Sequence, residues 1–185
     1  MNAISVKIFT LIIAFMLFSS FKEASDNLAQ KLEQTLKIPS EKSSEQLHAL
    51  TIQFITHVPI DSIENNRKLI NAAISRSNFP YKDALIYEVE AYSAKSLLNL
   101  ADARLLVKKA IGEPNIPERL LLRLLTLLAY IETDLENYLG AVENYQVIEK
   151  LLIRQKNNHE KLAVNYMGLA DLYLKTGLYR EAVTR

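Results

Sequence analysis

Tyr166–Ala182, YMGLADLYLKTGLYREA, is the stretch that decides the fold. Counted in a frame that puts Ala163 at place 1, Tyr166, Leu169, Ala170, Tyr173, Gly177, Tyr179 and Ala182 fall at places 4, 7, 8, 11, 15, 17 and 20. Places 4, 7 and 11 share one face of a helix, and that face fills the groove against a second helix. Small residues at places 8 and 20 let two helix axes approach, because a larger side chain there would hold them apart. Gly177 supplies the left-handed residue that turns the chain between the two helices. The stretch is therefore a pair of antiparallel helices.

The same frame fits twice upstream. Leu125, Leu128, Ala129, Tyr138, Ala141 and Tyr145 occupy places 4, 7, 8, 17, 20 and 24, but place 11 holds Glu132 and the turn place holds Glu136. Tyr87, Ala91, Ala94, Leu100, Ala103 and Val107 occupy places 4, 8, 11, 17, 20 and 24 of a third unit. The pattern resembles the tetratricopeptide repeat, whose usual period is about 34 residues. Ala103, Ala141 and Ala182 stand 38 and 41 residues apart, similar to the longer variants of that repeat. The resemblance covers residues 81–185, with the last repeat incomplete. It implies an all-α fold of antiparallel helix pairs stacked as a right-handed solenoid.

Outward from this core the periodicity stays helical. Leu28, Leu32 and Leu36 mark a short amphipathic helix ending near Pro39. Ser40 opens a second one, with Leu47, Leu50, Phe54 and Ile55, that Pro59 breaks. Asp61 and Glu64 form a capping-box pattern ahead of Leu69, Ile70, Ala73 and Ile74. Residues 26–80 are thus helix pairs without the repeat motif. Two helices fill Tyr81–Ile111, closed by Gly112 and Pro114, and Pro117 suits the first turn of a helix running to about Asp134. Within it, Leu120–Ile131 (LLLRLLTLLAYI) is apolar almost all round. It is too short to span a bilayer, so it reads as a helix buried by its neighbours. Another helix runs from about Tyr138 to Gln155. No segment alternates with period two over the length of a strand.

Composition excludes several functions. In 185 residues, 22 Lys plus Arg oppose 21 Asp plus Glu, scattered rather than striped, which argues against nucleic-acid binding. With no cysteine there is no disulfide framework, thiolate metal site or cysteine nucleophile. His48 and His57 are nine apart, on different helix faces, and His159 stands alone, so no metal site is expected. No phosphate-cradling glycine loop or nucleophile elbow occurs. Glu88 and Glu90 diverge on a helix and read as surface charges. The expectation is a non-enzyme with no cofactor and no small-molecule substrate. Residues 1–20 are laid out as a signal peptide or N-terminal anchor: Lys7, the eleven-residue apolar run Ile8–Phe18, then Ser19 and Ser20. The body is therefore expected to be exported, to the periplasm or facing it, with membrane association only through that segment.

Family ligands lie on the concave surface lined by the first helix of each pair, at places 2, 5, 9, 12 and 13. The resemblance carries those places to Leu85, Glu88, Tyr92, Lys95 and Ser96. In the second unit they are Arg123, Thr126, Tyr130, Thr133 and Asp134. The third unit contributes Val164, Met167, Asp171, Leu174 and Lys175. The family's clamp for chaperone tails needs Lys at place 5 and Asn at place 9, and no unit has them. Tyr92 and Tyr130 repeat at place 9 as candidate amphipathic anchors, with Arg123, Asp171 and Lys175 completing a partner-binding face for a protein or peptide. The resemblance implies a protein-binding scaffold of the cell envelope. An alternative is the extracytoplasmic sensory region of a longer signalling protein, of the histidine kinase or diguanylate cyclase type. That alternative is expected because the second helix of the last unit, opening near Tyr179, receives only seven residues, Tyr179 included.

Overall fold

The computed structural model describes residues 26–37, 40–155 and 158–177. The proposed signal segment, Pro39, Tyr179 and Ala182 lie outside them. All regular structure among the described residues is helical, and consecutive helices pack as neighbouring pairs. The chain divides after Phe79 into two compact units.

The first unit contains α1 (26–36), α2 (Ser40–Thr51), a π-helical turn at Ile52–Thr56 and α3 (Ile60–Ser75). Its core holds Leu28, Leu32, Leu47, Leu50, Phe54, Ile55, Ile70, Ala73 and Ile74, as their spacing anticipates, together with Ile63, whereas Leu36 and Leu69 are only partly buried. The wide turn disturbs the backbone bonding before Pro59, and side chains replace what is lost. Buried Asn66 of α3 donates to the Phe54 carbonyl at 2.8 Å, and Thr56 Oγ1 donates to that of Ile52 at 2.7 Å. The capping box is not formed. Pro59 already occupies the cap of α3, so Asp61 falls inside the first turn, and Glu64 instead pairs with Arg67 at 2.7 Å and Lys68 at 3.1 Å. Those two cations hold the Glu64 carboxyl below the usual carboxylate range, Arg67 contributing most.

The second unit contains α4 (Lys82–Ser96), α5 (Leu100–Gly112), α6 (Glu118–Asp134), α7 (Tyr138–Arg154) and α8 (His159–Lys175). Each helix packs on the next. The small residues sit where two axes meet: Ala91 and Ala103 in the first pair, Ala129 and Ala141 in the second, all fully buried. In α6, Leu120, Leu122, Leu124, Leu125, Leu127, Leu128 and Ile131 are buried, as expected of a helix covered on several sides. No described helix is long and apolar enough to cross a membrane. Gly112 ends α5 but does not make the turn that follows. Asn115, with φ of 60°, takes the left-handed conformation instead, since asparagine tolerates it nearly as well as glycine.

Candidate protein-binding face

The face is set by a turn that recurs three times. Place 15 holds Leu98, Glu136 and Gly177, and all three are left-handed, with φ of 60°, 58° and 77°. Each closes its helix in the same way. The N–H of Leu98 donates to the carbonyl of Lys95, that of Glu136 to Thr133 and that of Gly177 to Leu174. In the first two turns the next N–H reaches five residues back, Asn99 to Ala94 at 2.9 Å and Asn137 to Glu132 at 2.8 Å, completing a Schellman motif. Asn99 and Asn137 then cap the following helix, their side chains accepting from the N–H groups of Asp102 and Gly140. Sequence reading found the glycine at this place and missed that leucine and glutamate adopt the same conformation.

Two ion pairs tie α4 to α6. Arg123 Nη2 and Nε approach the Glu88 carboxylate at 3.0 and 3.1 Å, and Lys95 meets Asp134 at 2.8 Å. In place terms, 5 and 12 of one helix meet 2 and 13 of the next first helix. Glu88 is therefore not the surface charge expected from its spacing; it is 3% exposed and bonded to Arg123 of α6. Arg123 is correspondingly committed to Glu88 rather than turned outward toward a ligand. Lys175 and Asp171 pair with each other at 2.8 Å along α8, both exposed, and Asp171 raises the Lys175 ammonium above its usual range.

A further buried carboxylate occupies place 11, where the repeat pattern expects a large apolar residue. Glu132 accepts from Arg104 of α5 at 2.8 Å and from Asn137 at 2.7 Å, with Lys108 at 3.9 Å. It joins α5, α6 and the turn in one network. A Cβ on Gly140 beside it would come within 2.5 Å of the Asn137 side chain, which would have to shift.

The two tyrosines at place 9 differ. Tyr130 is 48% exposed, whereas Tyr92 is half-buried. Burial pushes the Tyr92 phenol well above its usual range; Glu88 adds to the shift, Arg123 opposes it and Tyr130 adds a little. Tyr145 of α7 is pushed up to about 12, chiefly by burial and then by Tyr130 and Asp171. Tyr92, Tyr130, Tyr145 and Asp171 thus share one neighbourhood across α4, α6, α7 and α8. Tyr130 is thus the exposed one of the two tyrosines at place 9. Among the described residues no cluster of histidine, aspartate or glutamate is placed to hold a metal ion.

Fold and face together define a class, an all-helical protein of neighbouring helix pairs. No protein-family model matches the chain, and comparison with curated proteins and with solved structures returns no similar chain.

Proposed function

We propose that this chain is a protein- or peptide-binding scaffold of the tetratricopeptide type. In this reading it is exported to the periplasm or cell envelope, and it takes its partner on the surface formed by α4, α6 and α8. The observation that carries the reading is the repetition of one device. Place 15 is left-handed in three units, places 8 and 20 are fully buried alanines in two, and two ion pairs set the first helices of those units side by side. Stacking of this kind is what a right-handed solenoid would use to form a concave face, and solenoids present extended binding surfaces. Tyr130 supplies the ring and hydroxyl that anchor a partner with little loss of side-chain freedom.

Proximity labelling from residue 130, with a photo-reactive amino acid in the exported protein, identifies the partner. The purified partner is then titrated against wild type and Tyr130→Ala. Loss of an anchor commonly costs about 2 kcal/mol or more, roughly thirtyfold in Kd. Unchanged affinity in a variant with wild-type helical content would move the binding surface off this face.

A further inference from the structure

The turns that end α4 and α6 lie side by side, because the 2.8 Å pair between Lys95 and Asp134 joins the residues just ahead of them. Their leucines are open to solvent. Leu97 and Leu98 are 49% and 84% exposed, and Leu135 and Leu139 are 37% and 72% exposed. In repeat terms these are places 14, 15 and 18, none of which the concave face uses. The first turn is exposed with the second already beside it. Leu98 is also left-handed, which is unfavourable for leucine, and its side chain gains almost no packing in return. Four exposed leucines on two adjacent turns, rather than single ones scattered over a surface, indicate an interface.

The open charges of this edge have one sign. Asp102 lies in the first turn of α5, Glu136 in the second turn and Glu143 one helical turn beyond Leu139, and all three are exposed. None of them forms an ion pair among the described residues, and Asp102 accepts from the neutral Asn99 amide at 2.6 Å. The neighbouring cations are committed, Lys95 to Asp134, Lys175 to Asp171 and Arg104 to Glu132. We propose that this edge docks a basic amphipathic helix of a partner protein. Its apolar stripe covers the four leucines, and its lysines or arginines meet Asp102, Glu136 and Glu143. A second copy of the same edge would set carboxylate against carboxylate. Anionic lipid headgroups would need free cations here, and the carboxylates repel them. The proposal does not rest on the tyrosine face.

Fluorescence anisotropy with the full chain tests it, using three labelled peptides of about 18 residues, five helical turns. One carries leucine on one face and lysine on the other, the second replaces its lysines with glutamate, and the third scrambles the first so that no stripe remains. Wild type is expected to bind the first at least about tenfold more tightly than the other two, since recognition needs both stripe and charge. High salt should weaken that binding, because exposed charges are screened. Leu98→Gly with Leu139→Ser is expected to lose about tenfold or more in affinity at unchanged helical circular dichroism. Glu136→Lys with Glu143→Lys should lose as much with the leucines intact, and Tyr130→Ala should lose nothing. Equal binding of the three peptides, or full affinity in the leucine variant, would overturn the proposal. A loss in Tyr130→Ala equal to that of the leucine variant would also overturn it, by placing the helix on the concave face. Binding to vesicles of phosphatidylcholine and phosphatidylglycerol without selective peptide binding would overturn it in favour of a lipid surface.

Discussion

Single residues carry more of this fold than their types disclose. Leu98 is 84% exposed and left-handed, a conformation that costs a non-glycine residue about 1–2 kcal/mol. Replacing it with glycine removes that strain and gives up almost no buried area, although glycine loses more chain entropy on folding. Leu98→Gly is therefore expected to raise stability, by up to about 1 kcal/mol. A fall in the denaturation midpoint would show that the leucine side chain contributes packing. Gly168 presents the opposite case. A Cβ there would lie 2.8 Å from the Tyr145 ring, so the close approach of α8 to α7 depends on its absence. Buried Asn165 of α8 donates to the Tyr145 carbonyl at 3.1 Å and fixes the same contact. These positions were only partly legible beforehand. Gly177 announces a left-handed turn by its type; Leu98 and Glu136 do not, because there the hydrogen-bonded motif overrides local preference.

At the scale of helices, periodicity located the elements well. Helices expected to end near Asp134 and Gln155 end at Asp134 and Arg154, since Pro117, Asn137 and the alanine spacing fix their register. Cross-helix pairing was not legible. The i, i+2 spacing of Glu88 and Glu90 says that they diverge, and only the tertiary packing around α4 decides which is covered. The Arg123–Glu88 pair gives a clear test of that packing. Arg123→Met alone takes the guanidinium away from a buried carboxylate, and breaking such a pair costs about 3–5 kcal/mol. Glu88→Leu combined with Arg123→Met replaces the pair with apolar contact and should restore most of the loss, since such replacements are often neutral or better. Chemical denaturation of the single and double variants measures this. Equal destabilisation in both would mean that Glu88 does not depend on Arg123 in the folded protein.

For the second unit as a whole, the central claim is that its first helices stack as repeats. The fully buried Ala141 lies where α6 and α7 approach. Ala141→Leu overpacks that contact and is expected to lower stability by about 1–3 kcal/mol. An unchanged thermal midpoint would mean that the axes are farther apart than the repeat requires. Stacking itself is tested through the cysteine-free sequence, which makes paired cysteines specific. Lys95→Cys with Asp134→Cys probes α4 against α6. Thr126→Cys with Val164→Cys probes α6 against α8 at places 5 and 2, the places at which Glu88 and Arg123 meet between α4 and α6. The measurement is intramolecular bridging of each pair by a short bis-maleimide at low protein concentration, read by mass spectrometry of peptides. Both pairs are expected to bridge while the protein keeps its helical signal. Bridging at 95 and 134 without bridging at 126 and 164 would contradict the repeat, because α8 would then not stand to α6 as α6 stands to α4.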